Sequence, residues 1–288
     1  MECTSAKFFH PLAGEAGRSF VKMKRSLINE LEVIFVKKAS RYLALALTGL
    51  MITALAACGA PKEEAKTYVI YSDNAFAPFE YLDEATGKHV GLDMDIMAAI
   101  AEDQGFAYEM NNVGFDPAMG AVDSGQADGM IAGMTITEER KLKYDFSDGY
   151  FVDGQIMAVA ADSTIATLED LRGQNVAAKI GTMSTQYVES IADEYELTIS
   201  YYEDSPTMYA AVAQGNSAAC FEDRAVVGWA IESNGIALKT VGDVIEPREY
   251  GFAVKKGTSP ELIEMFNAGL QNLKDSGKYD EILAQYGY

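Results

Sequence analysis

Histidine, cysteine and positive charge are scarce in this chain. It has 2 histidines, His10 and His89, so a metal centre built on imidazole ligands is not expected. Lys and Arg total 23 against 43 Asp and Glu, a formal net charge of −20. Phosphate neutralisation needs the opposite balance, so nucleic acid is excluded as a partner. No Gly-x-Ser-x-Gly turn, phosphate-binding Walker loop or His-Glu-x-x-His helix occurs, which removes the commonest signatures of hydrolases and nucleotide enzymes. No catalytic residue, no metal ligand and no cofactor is implied. The 3 cysteines are Cys3, Cys58 and Cys220. Cys220 lies in the apolar run Ala218-Ala-Cys-Phe221 and reads as core packing.

What is present begins with a basic and then apolar leader. Lys37, Lys38 and Arg41 precede the run Tyr42–Ala54, which ends in Leu55-Ala-Ala-Cys58. The run falls short of the roughly 20 residues of a membrane span, and its flanks are those of a secretory signal. Met23-Lys-Arg25 is an alternative start for that leader. A cysteine directly after Leu-Ala-Ala resembles a lipobox, which implies cleavage before Cys58, removal of residues 1–57 and a lipid on the Cys58 sulfur. Two acyl chains anchor durably where one does not. Cys220 would then be the sole remaining thiol, so no internal disulfide is expected. Residues 58–66, with Pro61 and Lys62-Glu-Glu64, read as a tether.

From Tyr68 onward strands and helices alternate, which argues for an α/β architecture. Tyr68–Tyr71 is a β-rich run. Asp93 begins a helix with Met94, Met97, Ala98 and Ala101 on one face, stopped at Gly105. Strands are expected at Ala107–Met110, Gly129–Ala132, Gln155–Ala160, Asn175–Ala178, Thr198–Tyr202, Ala218–Phe221 and Tyr250–Val254. Helices are expected at Ala118–Val122, Thr167–Leu171, Ser184–Tyr195 and Thr207–Ala213. Ser259-Pro260 caps a final helix that buries Leu262, Phe266, Leu270 and Leu273 and ends near Gly277. Two successive α/β groups suggest two lobes.

The most informative stretch is Ala132-Gly-Met-Thr-Ile-Thr-Glu-Glu-Arg140, followed by Lys-Leu-Lys-Tyr-Asp-Phe-Ser-Asp148. It reads as a strand leaving its sheet at Gly133 and entering a helix capped by Thr135 or Thr137, with Glu138 and Glu139 in the first turn. Free amides, two hydroxyls and the Arg140 guanidinium suit a small carboxylate. The plain alternative is a capped helix whose Arg140 pairs with Glu138 or Asp145. This stretch, with Asp73-Asn-Ala-Phe-Ala-Pro-Phe-Glu80 and Gly91-Leu-Asp-Met-Asp-Ile96, resembles the family-3 solute-binding proteins of amino-acid ABC importers, and among them the glutamine-binding proteins most. The likeness runs from about Tyr68 to Tyr288.

That resemblance implies a two-lobed, type II periplasmic-binding-protein fold: two α/β lobes joined by a two-strand hinge. Residues 67–151 and 251–288 would form the first lobe and 152–250 the second, with crossings near Tyr150–Gly154 and Glu246–Tyr250. It also implies no enzymatic activity, a monomer outside the cytoplasmic membrane or in a periplasm, and an ABC permease with its ATPase as partner. In the family, Thr135, Arg140 and backbone amides, here near Ala132 and Gly133, hold the ligand's α-carboxylate, and Asp223 in Phe221-Glu-Asp-Arg224 holds its α-ammonium. A zwitterion taken from water needs both charges paired. Read without the family, Asp223 is a solvated loop acid or a helix N-cap. Phe76 and Phe115 match positions flanking the ligand's stem, and Asp73 and Lys179 match those that meet a side-chain amide. Thr182, Met183 and the backbone near Ser184 complete the set. Glu222 stands where glutamine binders have His, and Met183 where they have Gly. Pointing inward, Glu222 would favour a basic ligand; pointing outward, it is a rim charge. Glutamine is the favoured ligand. Other polar, basic or cystine-like amino acids, a dehydratase acting on prephenate-like acids, and a sensor partner are the alternatives.

Overall fold

The β-rich run at Tyr68 forms the strand Thr67–Ser72, at whose two sides the first sheet is assembled. The computed structural model describes residues 66–288, so the leader, the lipid site Cys58 and all but the last residue of the tether lie outside the described residues. In the first sheet the strand order is Ala107–Asn112, Thr67–Ser72, Gly129–Met130, Ala253–Lys255, Tyr144–Phe146. The first three are parallel, and Ala253–Lys255 runs antiparallel to both its neighbours. The second sheet repeats the scheme with Thr198–Tyr202, Asn175–Lys179, Ala219–Asp223, Phe151–Ala160 and Leu238–Tyr250. Again the first three are parallel and the fourth is antiparallel to its neighbours. A small antiparallel sheet, Ala75–Phe76 with Glu80–Asp83 and Lys88–Val90, sits on the first lobe.

The chain passes from the first sheet to the second through Phe151–Ala160 and returns through Leu238–Tyr250. These strands pair antiparallel, with Phe151 opposite Tyr250 and Asp153 opposite Arg248. The result is two α/β lobes joined by two strands, the fold class the resemblance implied.

The helix Leu92–Gln104 departs from the stripe read in sequence. Its buried residues are Leu92, Asp93, Ile96, Met97, Ile100 and Ala101, while Ala98 is exposed and Met94 only half-buried. The helix packs against Pro260–Ser276, whose Leu262, Phe266, Leu270 and Leu273 are all buried as expected. Ser259 does not cap that helix: its side chain makes no cap bond and its φ is 46°. Glu169–Leu171 is a 3₁₀ turn, and the helix read as Ser184–Tyr195 spans Met183–Ile191. Two further helices, Arg224–Asn234 and Lys278–Gln285, were not read in the sequence. Cys220 is a buried free thiol packed with Ile156, Met208 and Val212.

Candidate functional site

Parallel strands in α/β sheets place their functional residues at their carboxyl ends. Here both sheets aim those ends at one gap. Asp73 follows Thr67–Ser72, and Ala132 and Gly133 follow Gly129–Met130. From the other lobe, Lys179 ends one strand and Asp223 another.

On the first lobe the wall is the turn from Gly133 to Arg140. Gly133 has φ 53°, and a Cβ there would lie 2.5 Å from Phe76 Cε1, so only glycine fits this bend. The expected α-helix is instead a 3₁₀ turn, Arg140–Leu142. Its neighbours are taken by pairing: the Ile136 N–H donates to Glu249 O (2.8 Å), and Tyr144–Phe146 already belongs to the sheet. Thr137 fills the capping role, accepting from the Arg140 N–H at 3.1 Å, whereas Thr135 forms a β-bridge with Tyr250. Arg140 is buried. Its Nη1 donates to Thr135 O (2.9 Å), and its Nη2 reaches across the gap to Gly181 O (3.1 Å). Glu138 pairs with Lys141 and Asp145 with Lys256, so the plain reading of Arg140 as their partner does not hold. Burial pulls the Arg140 guanidinium down to about 10, still well above neutral pH.

Asp223 stands at the N-cap position of Arg224–Asn234, yet its side chain makes no cap bond. Asp153 serves the helix instead, accepting from the Ala225 N–H at 2.7 Å. Asp223 is therefore free to accept from the Tyr250 hydroxyl (2.7 Å) and Gln155 Nε2 (3.4 Å). Burial, and next the charge of Glu222, push its carboxyl up to about 7. It is neither a solvated loop acid nor a cap.

The third group spans both lobes. Lys179 Nζ forms a buried ion pair with Asp73 Oδ2 and lies 4.6 Å from the Phe76 ring centre. Burial alone would lower the Lys179 ammonium; the charges of Asp73 and then Glu222 outweigh it and hold the group above its ordinary value. Of the two orientations considered in sequence, Glu222 takes the inward one, on the cavity wall. It is 2 % exposed, and its Oε2 accepts from two groups of its own lobe, Ser205 Oγ (2.7 Å) and the Tyr209 hydroxyl (3.2 Å). It is thus no rim charge, and burial raises its carboxyl against the opposing pull of Lys179.

Phe76, Phe115, Ala132, Gly133, Thr135, Arg140, Lys179, Thr182, Met183, Glu222 and Asp223 line one cavity of about 20 Å³. That is room for about one water molecule. Asp73 stands behind Lys179 rather than on the wall. Thr182 caps Met183–Ile191 by accepting from the Thr185 N–H. Sequence reasoning missed Tyr250, Gln155 and Asp153, which orient Asp223 or free it. Tyr250 and Asp223 are 27 positions apart, and no local pattern joins them.

Known proteins resemble this chain in sequence and fold. The family model described as bacterial extracellular solute-binding proteins, family 3, matches residues 68–288. A probable histidine-binding protein of Neisseria gonorrhoeae is 32% identical over 245 residues, covering 81% of this chain and 90% of that protein. An ABC-transporter glutamine-binding protein of Bacillus subtilis is 34% identical over 207 residues, covering 70% of this chain and 74% of its own length. Among solved structures, an ancestral arginine-binding protein bound to arginine is 36% identical with a TM-score of 0.72, over 77% of this chain and 98% of its own.

Proposed function

This chain belongs to the bacterial extracellular solute-binding proteins of family 3, and on that premise we propose that it closes around one zwitterionic L-amino acid, glutamine by preference, without turning it over. The observation that carries this reading is the pair Arg140 and Asp223, contributed by opposite lobes to one cavity wall. Both hydrogen-bond partners of the Arg140 guanidinium are neutral carbonyls. Its charge is thus left for an incoming carboxylate, with Thr135 beside it. Asp223, held by two neutral donors, takes the ammonium. A cavity of about 20 Å³ cannot admit an amino acid, so entry requires the lobes to part. We assign the division to residues 67–151 with 251–288 and residues 152–250, hinged at the two crossing strands, the ligand's preference for the closed form driving closure.

Asp73 and Lys179 support glutamine. Lys179, on the cavity wall, donates to the amide oxygen, and Asp73 behind it neutralises the ammonium, leaving a neutral end for a neutral side chain. Phe76 and Phe115 flank the stem. The Cys58 lipid would keep the protein at the membrane, where an ABC permease with its ATPase receives the ligand. A basic ligand is the second reading. It is favoured by Glu222 in the cavity wall, which gives this end two acids for one lysine.

A thermal-shift screen over the twenty amino acids tests both. Glutamine at about a hundred times its dissociation constant should raise Tm by roughly 5–10 °C. Lys179→Met should weaken glutamine by about 10- to 100-fold, the worth of a charged hydrogen bond, and a small apolar amino acid far less. Equal losses would remove the side-chain role, and a larger shift with arginine or lysine would favour the second reading.

A further inference from the structure

Glu80 and Asp93 are both fully buried in the first lobe, outside the cavity wall, and come together where the Asp93 N–H donates to Phe79 O (3.0 Å), the residue before Glu80. Asp93 Oδ2 accepts from the Gly133 N–H (2.8 Å) and from the Tyr150 hydroxyl (2.8 Å). Gly133 opens the turn that carries Thr135 and Arg140. Tyr150 is the residue before the crossing strand Phe151–Ala160, and its N–H is bonded to Tyr250 O at 3.0 Å on the returning strand. One carboxylate thus ties the site's turn to the crossing strands. Its other oxygen, Oδ1, and both oxygens of Glu80 have no donor among the described residues.

Carboxylates only accept, so two of them in contact form a hydrogen bond only if one holds a proton. The charges around the pair make that proton necessary. Glu80 feels Asp93, Asp73 and Lys179, and the lysine is already spent on Asp73. Asp93 faces Glu80, the neutral Tyr150 and a backbone amide. Two adjacent buried anions without a cation of their own do not both ionise. Two donors on Oδ2 favour the anion at Asp93, and Glu80 has none, which settles where the proton sits.

We infer that Glu80 is a positioning residue for the ligand site: it remains a carboxylic acid at neutral pH and donates to Asp93 Oδ1, holding the ionised Oδ2 on Gly133 and Tyr150. Burial, and next the charge of Asp93, push the Glu80 carboxyl well above its ordinary value, in agreement with that assignment. Because the folded-state value is raised, the stabilisation from this pair is full at low pH and is lost as pH rises through that value.

The effect on ligand affinity rests on the amino-acid reading above; the protonation state does not, and the experiment separates them. In protein labelled with ¹³C at glutamate carboxyls, an acid-form resonance should persist at neutral pH and vanish in Glu80→Gln. A vanishing resonance at the ionised position instead would overturn the proposal. Thermal unfolding followed from about pH 5 to about pH 9 should fall less steeply in Glu80→Gln than in the native chain, and parallel profiles would overturn it too. At neutral pH, Glu80→Ala should weaken amino-acid binding by about tenfold, and Glu80→Gln, which keeps a donor, should recover it to within about threefold. If the two variants bind equally, Glu80 does not position the site. If the native chain binds no amino acid, the proposed function fails, and the resonance and pH profile still decide the proton.

Discussion

Glu222 and Asp223 in the second lobe and Glu80 and Asp93 in the first are both pairs of buried carboxyls, but their surroundings differ. Every oxygen of Glu222 and Asp223 has a donor: Ser205 and Tyr209 on one Glu222 oxygen, the Asp223 N–H on the other, and Gln155 and Tyr250 on Asp223. Three of the four oxygens of Glu80 and Asp93 have none. The second-lobe pair faces the cavity and the first-lobe pair faces backbone. Neutral donors let a carboxylate stay buried without cancelling it, which suits the ammonium-binding role proposed for Asp223. A shared proton cancels one charge, which suits a pair that only has to hold a turn. Burial of acids therefore does two different tasks, and the donors around each pair tell them apart.

The largest effect expected is that of Asp223→Asn, which removes the charge proposed to meet the ligand's ammonium. Losing one partner of a buried charged pair costs about 2–5 kcal/mol, roughly 30-fold to several thousandfold in affinity. The same substitution should stabilise the unliganded protein on the alkaline side. Asp223 is pushed up to about 7, above its unfolded value, so its folded form is favoured at low pH and the advantage is lost as pH rises through about 7. Asparagine escapes that loss, and Tm at mildly alkaline pH should rise while binding disappears. Calorimetry near neutral pH should also register proton release on binding to the native chain, because the ammonium demands the ionised form. An unchanged Tm profile would mean that Asp223 is ionised and comfortable without its ligand.

Much of this was legible in sequence, and the gaps have physical reasons. The strand Thr198–Tyr202 and the buried face Leu262, Phe266, Leu270 and Leu273 follow from local periodicity alone. The turn from Gly133 to Arg140 could be located because glycine, threonine and arginine each carry a distinct local requirement. Arg224–Asn234 escaped because Val226, Val227 and Ala230 surround Gly228 without a clean stripe. The long strand Leu238–Tyr250 is hidden in sequence because Gly242 and Pro247 interrupt it; the pairing with Phe151–Ala160 absorbs them as register shifts. The orientation of Glu222 depends on Ser205 and Tyr209, which are 17 and 13 positions away, and that of Asp93 on Tyr150, 57 away. Such partners are fixed by the tertiary fold, and no window of sequence contains them.

A middle-sized effect is expected from Tyr250→Phe, which keeps the ring and removes the donor to Asp223. The ring packs edge-on to Phe79 and stacked on Phe151, so the core should be undisturbed. A hydrogen bond to a charged group is worth about 1.5–3 kcal/mol, and Gln155 remains, so a loss of about tenfold is expected. The first-lobe pair supplies the control: Tyr150→Phe removes the matching hydroxyl from Asp93, which also keeps the Gly133 amide. If the comparison is sound, Tyr250→Phe changes the pH dependence of binding near neutrality and Tyr150→Phe does not. Identical pH profiles would erase the distinction between a ligand-facing pair and a structural one.

The smallest effect should come from Glu222→Gln, and it sharpens the comparison most. Glutamine can keep every bond in place: its oxygen accepts from the Asp223 N–H, and its NH₂ donates to Ser205 and Tyr209, whose hydroxyls rotate to accept. Only the charge is lost. Because the charge of Glu222 helps to raise Asp223, its removal should let Asp223 ionise at lower pH, so less proton is released on binding near neutrality. Affinity for glutamine should change by less than about threefold at mildly alkaline pH, since a neutral side chain gains little from a charge already opposed by Lys179. A basic ligand would behave otherwise. It would need Glu222 to offset its own cation beside Lys179, and Glu222→Gln should then cost it about tenfold or more. Titrating glutamine and arginine against this one variant therefore decides whether the acid beside Asp223 tunes a neighbour or selects a ligand.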